Sequence, residues 1–397
     1  MQKAYKLQGK PRHYDWGGKT FLPNLMGVEN VNHLPYAEYW MGAHTSAASS
    51  IQTPDGEQDL AQLIKQEPVQ WLGKEVATKF KALPYLYKIL DVRDMLSIQV
   101  HPSKENAVIG FKAEENKGIA IDASNRNYKD QNHKPEVMVA LSDFWLLHGF
   151  LAPAILEERL NSNSNLKPLL HEFKEGDYHN LYTYFMQLPM AVSDAILKPL
   201  LEEAAKEVVK GTVTKKNPHY WANKYYADGI PSKNIDKGIF SIYILNIVNI
   251  PKYQGIFQGA GILHAYLEGQ NIELMANSDN VLRGGLTPKH IDVNELIQHV
   301  SFVPTYPSIL KAKKLTEQEA NYACPVSDFG LTNIRLNVGE VYTISTYSLE
   351  LLLVMDGEVE IEGIAYKAGD TALLTPKANL SIKAKSQALL FKAYVPK

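Results

Sequence analysis

Three short segments of this 397-residue chain carry side chains able to bind a metal ion. Gln99 and His101 stand two residues apart in an apolar run, so in a strand both side chains point to the same face. Glu136 opens a second apolar run, and His264 ends a third. One amide, two imidazoles and one carboxylate form a nitrogen and oxygen donor set that needs no cysteine. These four residues predict a divalent metal site inside a β-barrel.

Each histidine of this set, taken alone, is better explained as a hydrogen-bonded core residue. Glu136 changes the balance, because a buried carboxylate is costly without a cation. Pro135 keeps Lys134 extended and so directs Glu136 into its strand. The donor types favour one Zn²⁺ per chain, with Mn²⁺, Co²⁺ and Fe²⁺ as competitors. A set without cysteine that includes an amide is typical of an exchangeable catalytic site.

A second group of residues suggests an anion site. Arg283 precedes Gly284 and Gly285 in a polar segment, which leaves space beside its side chain. A guanidinium is the preferred partner of phosphate, and lysines add point charges. Three lysines are candidates for this role, although each alone is better explained as a surface residue: Lys88, Lys134 and Lys289.

The bulk composition excludes several classes of function. The formal net charge of −2 gives no reason to expect nucleic acid or an anionic membrane as partner. The single cysteine, Cys324, excludes an intramolecular disulfide and fits a reducing cytoplasm. Residues 1–6 lack the apolar core of a signal peptide. No apolar stretch approaches the ~18 residues of a membrane span.

The elements that must position these residues follow from composition along the chain. Residues 1–150 contain short extended segments separated by glycine and proline, which predicts a β-rich domain. Residues 151–235 have helical spacing and are predicted as a helical insertion. Residues 236–310 return to strands and complete the first domain. Residues 311–397 are predicted as a further β domain without histidine ligands.

Four local features complete this prediction. The polar stretch 112–130 is predicted as a surface loop, and residues 240–245 as a strand. Ser193 is predicted to cap a helix that either begins or kinks at Pro199. The Asp356-Gly357 pair, between two apolar runs, predicts a β-hairpin.

Several motifs together closely resemble the type I mannose-6-phosphate isomerases. They are residues 14–17, 36–44, 96–102, 132–136 and 277–289. The resemblance covers essentially the whole chain in the family's order. It implies a mainly β protein with a cupin-type (jelly-roll) catalytic barrel, a helical insertion and a second, metal-free C-terminal cupin-like β domain. The zinc ligands that it implies are the four named above.

The chain departs from the family pattern at three positions. Val100 stands where alanine is common, Thr45 where proline is common, and Gly284 where alanine is common. None of these is a proposed ligand, although Gly284 could loosen the segment that carries Arg283.

The reaction implied by the resemblance is the interconversion of mannose 6-phosphate and fructose 6-phosphate through an enediol(ate). The resemblance places Lys88, Ser97 and Lys134 around the sugar phosphate. Arg283 would stabilise charge at the reacting end or bind the phosphate, and sequence does not separate these roles. Tyr266 would share the face of His264, where a substrate contact and a core position are equally expected.

The acid/base residue is open at this stage. Glu273 is ranked first, and Asp279 and His133 are the other candidates. A general base must lie within hydrogen-bond reach of the proton that it takes, and sequence gives no distances.

Two other functions compete with this one. Another cupin metalloenzyme, such as an Fe²⁺ dioxygenase or a different sugar-phosphate isomerase, would use a similar donor set, although Gln99 argues against a redox metal. A non-catalytic sugar-sensing cupin would keep the fold without turnover. A monomer is the default expectation. The physiological direction, catabolic or biosynthetic, and the role of the C-terminal domain stay open.

Overall fold

The computed structural model describes residues 2–54 and 56–397. Within these residues the helices are α1 (Phe21–Met26), α2 (Leu60–Gln66), α3 (Pro68–Leu72), α4 (Lys74–Phe80), α5 (Lys104–Asn116), α6 (Pro153–Ser162), α7 (Tyr178–Gln187), α8 (Met190–Val209), α9 (Pro218–Tyr225), α10 (Gly238–Ile244) and α11 (Val293–His299), with a 3-10 segment at Lys167–Gly176.

The strands are β1 (Ala4–Gln8), β2 (Lys10–Arg12), β3 (Glu38–Met41), β4 (Ser50–Thr53), β5 (Gly56–Asp59), β6 (Tyr85–Val92), β7 (Ile98–Val100), β8 (Glu136–Ala140), β9 (Phe144–Phe150), β10 (Leu245–Ile250), β11 (Gly255–Gln258), β12 (His264–Ala276), β13 (Leu282–Gly285), β14 (Lys313–Lys314), β15 (Glu319–Tyr322), β16 (Gly330–Leu336), β17 (Val341–Ser345), β18 (Glu350–Asp356), β19 (Glu358–Ile361), β20 (Ile364–Lys367), β21 (Thr371–Leu374), β22 (Asn379–Ala384) and β23 (Ala388–Tyr394). The protein is therefore mainly β, with several helices.

A ten-stranded sheet is organised around the long strand β12. The second half of β12 pairs with β6 on one side and β8 on the other, and its first half pairs with β9 and β7. Every residue of β6, β8 and β9 is buried. Strands buried on both faces are continuously apolar rather than alternating, so a polar side chain among them is informative.

A nine-stranded sheet has the order β14-β15-β16-β23-β18-β21-β1-β4-β5, and a four-stranded sheet has the order β17-β22-β19-β20. The N-terminal strand β1 pairs with β21, so residues 4–8 lie in the same sheet as the C-terminal strands. This sheet therefore combines strands from the two ends of the chain, and the predicted domain boundaries stay a prediction. One apolar core joins this sheet to the ten-stranded sheet, and includes Tyr87, Leu274 and Phe391.

The helices α6 to α10 and the 3-10 segment pack in a second apolar core against the outer side of β7 and β9. The predicted strand at residues 240–245 is wrong: Gly238–Ile244 is α10, and β10 begins only at Leu245. Every residue of α10 is buried. A segment that is apolar on all sides has no period, so pattern alone does not separate helix from strand.

The predicted hairpin at Asp356-Gly357 is also wrong. β18 pairs with β21 and β23, whereas β19 pairs with β20 and β22, so this turn carries the chain from one sheet to the other. The hairpin lies at Glu362 and Gly363, whose φ angles of 49° and 79° fit a tight turn between β19 and β20.

Two helix predictions need correction. Ser193 lies inside α8, where its hydroxyl donates to the carbonyl of Met190, and the helix runs from Met190 through Pro199. The predicted loop 112–130 begins as the end of α5, whose cap is Ser103. Polar surface helices lack the apolar stripe that identifies a helix from sequence. Across residues 2–54 and 56–397 there is no helix with the length and apolar character to cross a membrane.

A buried charge cluster between the nine-stranded and four-stranded sheets predicts a pH effect on stability. Lys392 Nζ lies 2.8 Å from Glu319 Oε1 but 3.9 Å from Glu350 Oε2. Burial raises the pKa of Glu350 from its ordinary value of 4.5 to about 7. Between these pH values the folded chain holds more protons than the unfolded chain, so the free energy of unfolding falls as the pH rises.

We therefore expect Glu350→Gln to raise the free energy of unfolding at pH 8 by up to about 3 kcal/mol, and to change it much less at pH 5. The measurement is the Tm of wild type and variant at both pH values. Glu360→Gln is the control, because Glu360 pairs with Lys385 at the surface. An equal Tm difference at the two pH values would contradict the predicted titration of Glu350.

Candidate metal centre and active site

Strand register brings the predicted metal ligands together. His264, the first residue of β12, lies directly opposite Gln99 of β7, so the two side chains face the same way. His101 follows β7 by one residue. Glu136 begins β8, opposite Met275 of β12. Three separate segments therefore meet at β12 because each pairs with it or ends beside it.

The two histidines and the glutamate form one buried group whose ligand atoms all lie within 4.8 Å of one another. His101 Nε2 is 3.3 Å from Glu136 Oε1, and His264 Nε2 is 3.6 Å from Glu136 Oε2. The two imidazole centroids are 5.0 Å apart. Nitrogen and oxygen atoms at this spacing can bind one metal ion.

The other ring nitrogens fix how the imidazoles face this group. His101 Nδ1 lies 2.9 Å from the carbonyl of Asn280, and His264 Nδ1 lies 2.8 Å from the carbonyl of Ile262. Because a carbonyl only accepts, each Nδ1 carries the proton and each Nε2 offers a lone pair. His101 Nε2 is buried and has no hydrogen-bond partner among the described residues. A buried, unpartnered nitrogen beside a carboxylate fits a zinc ligand.

The electrostatics favour metal-binding protonation states. Burial lowers the pKa of His101 to about 4, so its imidazole is neutral at pH 7. Burial alone would raise the pKa of Glu136, but Lys134 and the two histidines outweigh it and hold the pKa well below its ordinary value. Lys134 Nζ lies 3.0 Å from Glu136 Oε1. The chain thus offers the neutral imidazole of His101 and an ionised carboxylate at this group.

A cavity of about 60 Å³ lies beside this group. The predicted site residues that line it are Gln99, Glu136, His264, Lys88, Lys134, Tyr266 and Glu273. Lys88 Nζ is 2.9 Å from Glu273 Oε2, and the Tyr266 hydroxyl donates to Glu273 Oε1 at 2.8 Å. Burial raises the pKa of Glu273 above its ordinary value, and this effect is larger than the opposing effect of Lys88.

Lys88 is held in its charged form despite burial. Burial alone would lower the pKa of Lys88, but the carboxylates of Glu273 and Glu38 raise it above its ordinary value. The ammonium also lies 5.1 Å from the centroid of the Trp40 ring, and the Trp40 indole donates to Glu38. Lys88 is therefore a fixed positive charge at the cavity wall.

Arg283 stands opposite Gln99 on β13, outside the lining of this cavity. Burial, and then the charges of Arg283 and Lys129, lower the pKa of Lys289, so these three cations lie close together. Among residues 2–54 and 56–397, no carboxylate lies within ion-pair distance of Lys129, Arg283 or Lys289. Arg283 is partly buried, whereas Lys129 and Lys289 are exposed, and the three together form a patch of positive charge at the edge of the site.

The remaining predicted residues lie at the edge of the site or away from it. Asp279 Oδ2 is 3.4 Å from His44 Nε2, and His44, Lys134 and Lys88 outweigh burial and lower its pKa. The Ser97 hydroxyl accepts from Gln99 Nε2 at 3.4 Å. His133 does not line the cavity: its Nε2 is 3.1 Å from Asp328 Oδ1.

Sequence reasoning missed four residues that shape the site. Glu38 lines the cavity beside Lys88, and His44 pairs with Asp279. Gln258 Nε2 donates to the Tyr266 hydroxyl at 2.9 Å, and the Asn280 carbonyl orients His101. Glu38 and Trp40 repeat the spacing of Gln99 and His101, which was a usable signal. The roles of Gln258 and Asn280 depend on strand pairing and leave no signal in the sequence.

Comparison with known proteins decides the family. Residues 4–152 match the profile of "Phosphomannose isomerase type I, catalytic domain". The mannose-6-phosphate isomerase of Salmonella typhimurium is 36% identical over 387 residues, covering 93% of this chain and 94% of that protein. The chain belongs to the type I mannose-6-phosphate isomerase family. The Escherichia coli mannose-6-phosphate isomerase is 34% identical over 377 residues, with the same coverage.

Solved structures from this family have the same fold. A zinc-bound mannose 6-phosphate isomerase superposes with a TM-score of 0.86 at 32% identity, covering 100% of both chains. A Salmonella typhimurium enzyme described as bound to substrate (fructose 6-phosphate) and zinc has the same TM-score, and is also 32% identical over 100% of both chains. The predicted family is confirmed, and the described residues include a His–Glu–His group able to bind one metal ion, as expected for a zinc cofactor.

Proposed function

We propose that the chain is a zinc-dependent aldose–ketose isomerase that interconverts mannose 6-phosphate and fructose 6-phosphate through an enediol(ate). The observation that carries this proposal is the placement of the His101–Glu136–His264 group beside a cavity that also contains Glu273 and Lys88. A metal-binding group, a buried carboxylate and a fixed positive charge are the components that proton transfer next to a sugar carbonyl requires.

Gln99, His101, Glu136 and His264 would hold the zinc ion. When bound, zinc supplies a Lewis acid that polarises a carbonyl and stabilises negative charge on neighbouring oxygens. Zinc is the metal found in solved relatives. The two histidines, each with Nδ1 directed to a carbonyl, support this assignment for the present chain.

The pattern of ion pairs supports different roles for the cations at the two ends of the substrate. Lys88 and Lys134 already pair with Glu273 and Glu136, so they are suited to stabilise charge near the reacting carbons. Arg283 and Lys289 have no carboxylate partner among the described residues, so they are suited to bind the phosphate. Burial lowers the pKa of each of these two cations, and a phosphate dianion would compensate that cost.

Glu273 is the proposed base that moves the proton between C2 and C1. Its raised pKa brings it closer to neutral pH, where a general base is most effective. Asp279 and His133 stay as alternative candidates for the base. Asp279 lies at the edge of the cavity, and His133 is directed away from it toward Asp328. Ser97, next to Gln99, would contact the sugar or orient the Gln99 amide.

The finer fold assignment belongs to the same proposal. We infer a cupin-type catalytic barrel around β12, a helical insertion, and a second, metal-free C-terminal cupin-like domain. The extensive apolar core shared by the two large sheets supports a role for the C-terminal strands in bracing the barrel. The monomeric state and the cytoplasmic location stay predictions.

Tyr266 is expected to act by positioning Glu273. The change Tyr266→Phe removes the hydroxyl that donates to Glu273 and accepts from Gln258. Loss of one hydrogen bond to the charged base should lower kcat about tenfold and move the acid limb of the kcat/KM profile to higher pH. The measurement is the pH dependence of kcat and kcat/KM.

Tyr243→Phe is the matched control for Tyr266→Phe. Tyr243 is also buried, and its hydroxyl pairs with His219 Nδ1 at 2.9 Å in the helical region. It should lose stability without a change in kcat. If Tyr266→Phe changes KM alone, Tyr266 contacts substrate rather than positioning the base.

The test of the function is a coupled assay of mannose 6-phosphate conversion to fructose 6-phosphate. It is run on metal-stripped protein before and after addition of Zn²⁺. Activity that disappears on stripping and returns with zinc supports the isomerase and the metal together. No turnover with any divalent metal, combined with retained sugar-phosphate binding, would instead support a sugar-sensing protein.

A further inference from the structure

The segment that follows Arg283 is anchored by a carboxylate from the helical region. Asp236 Oδ1 accepts from the backbone N–H of Leu286 at 2.9 Å, and Asp236 Oδ2 accepts from the N–H of Thr287 at 2.8 Å. Oδ1 also accepts from the N–H of Gly238 at 2.6 Å. One side chain therefore joins the start of α10 to the segment between Arg283 and Lys289.

This segment has an unusual backbone conformation. Gly285 has a φ of 128°, and Leu286 has a φ of 54°, which a side chain as large as leucine rarely adopts. A Cβ atom on Gly285 would lie 2.3 Å from Gly238 Cα, so the two backbones are in direct contact. Such a conformation persists only where the surrounding structure enforces it, and the Asp236 carboxylate supplies three hydrogen bonds at this point.

The anchor connects to both proposed phosphate-binding cations. Arg283 lies three residues before Leu286, on the strand that pairs with β7. Lys289 donates its backbone N–H to the Thr287 hydroxyl at 3.2 Å, and Thr287 is itself held by Asp236. A loss of the anchor would release the backbone that carries both cations.

We propose that Asp236 is a positioning residue for substrate binding, which fixes Arg283 and Lys289 for the phosphate group; this inference rests on the proposed sugar-phosphate isomerase function. The Asp236 carboxylate points to backbone N–H groups, so it serves the segment's conformation. It acts on binding of the phosphate end, which does not change during the reaction, so its loss weakens ground-state and transition-state binding alike.

The experiment compares wild type with Asp236→Asn. It measures kcat and KM for mannose 6-phosphate and the Ki of inorganic phosphate as a competitive inhibitor. The amide in the variant places an N–H donor against backbone donors. We expect KM and Ki both to rise about tenfold while kcat changes less than about twofold. An unchanged KM and Ki would overturn the proposal, and so would a fall in kcat at constant KM.

Asp194→Asn is the matched control. Asp194 also accepts two backbone N–H bonds, from Asn234 and Ile235 at 2.8 Å each, but it does not contact the segment after Arg283. It should leave KM and Ki unchanged. An equal rise in both variants would show general loosening of the helical region and overturn the assignment to Asp236.

Thr287→Val carries the test if Asp236→Asn does not fold. It removes only the hydroxyl that accepts from Lys289, and KM should rise about threefold. An unchanged KM would overturn the proposal. Failure of the proposed function is distinguishable, because wild type would then show no turnover of mannose 6-phosphate.

Discussion

Replacing Glu136 by glutamine is expected to weaken zinc binding more than about a hundredfold and to lower kcat/KM for mannose 6-phosphate about a thousandfold or more. Glu136 Oε1 lies 3.3 Å from His101 Nε2, and Oε2 lies 3.6 Å from His264 Nε2, so the carboxylate is the one anionic member of the donor set. A glutamine keeps the shape but removes the charge that attracts a divalent ion. Its amide N–H₂ would also face Lys134 or an imidazole nitrogen.

The measurements are zinc content per chain after dialysis, zinc affinity by competition with a chelator, and kcat/KM with and without excess Zn²⁺. If the lost activity reflects weak zinc binding alone, excess zinc restores part of the activity. If the charge of Glu136 also stabilises the reacting carbons, kcat stays low even when every chain holds zinc.

Glu268→Gln is the control for this substitution. Glu268 lies four residues beyond His264 on β12, and it pairs with Lys215 and Lys224 rather than with the metal-binding group. It should keep one zinc per chain and a kcat/KM within about twofold of wild type. A Glu136→Gln protein that binds zinc as tightly as wild type would contradict the assignment of Glu136 as a ligand.

The residues of the candidate metal site could be selected from sequence because each segment carries its donor side chain in a short local pattern. Gln99 lies in β7 and His101 directly follows that strand, and a carboxylate at the head of a buried strand is informative by itself. His264 was selected from its position at the end of an apolar run. Neither histidine predicted a metal site by itself, and the prediction came from combining the three segments with the carboxylate of Glu136.

The fold and the details of the site could be predicted only in part, because they depend on pairing between distant segments. β1 joins β21 at the far end of the chain, and Asp356-Gly357 joins two sheets instead of two paired strands. A turn motif fixes local backbone shape, but the choice of partner strand is a tertiary property. The prediction of a strand at residues 240–245 fails for a different reason: every residue of α10 is buried, so its sequence lacks the apolar period that identifies a helix.

The same limit applies to the roles of charged side chains. His133 is adjacent in sequence to Lys134, yet its imidazole is directed toward Asp328 and does not line the cavity. Lys88 and Lys289 look alike as isolated lysines, but one is paired with Glu273 and the other has no carboxylate partner among the described residues. Only the three-dimensional arrangement separates a lysine that is paired with a carboxylate from one that has no such partner among the described residues.

Replacing Glu273 by glutamine is expected to lower kcat between about a hundredfold and ten-thousandfold while zinc stays bound. Glu273 is buried, and its two oxygens are held by Lys88 at 2.9 Å and by the Tyr266 hydroxyl at 2.8 Å. Burial raises its pKa, which makes it a stronger base than an exposed carboxylate. Asp279 has a lowered pKa and a side chain that is 46% exposed, so it is a weaker base in a wetter place.

The direct measurement is the exchange of the substrate C2 proton with deuterated water, monitored by NMR. The kcat and the zinc content of each protein are measured in parallel. Glu319→Gln is the matched control, because Glu319 is also buried and pairs with a lysine at 2.8 Å, but lies among the C-terminal strands. It should leave exchange unchanged. Because exchange requires the base itself, Glu273→Gln should lower the rate of exchange and kcat by the same factor. If exchange and kcat stay within about threefold of wild type with zinc retained, Glu273 is not the base. The corresponding Asp279→Asn and His133→Gln proteins would then identify which remaining group takes the proton.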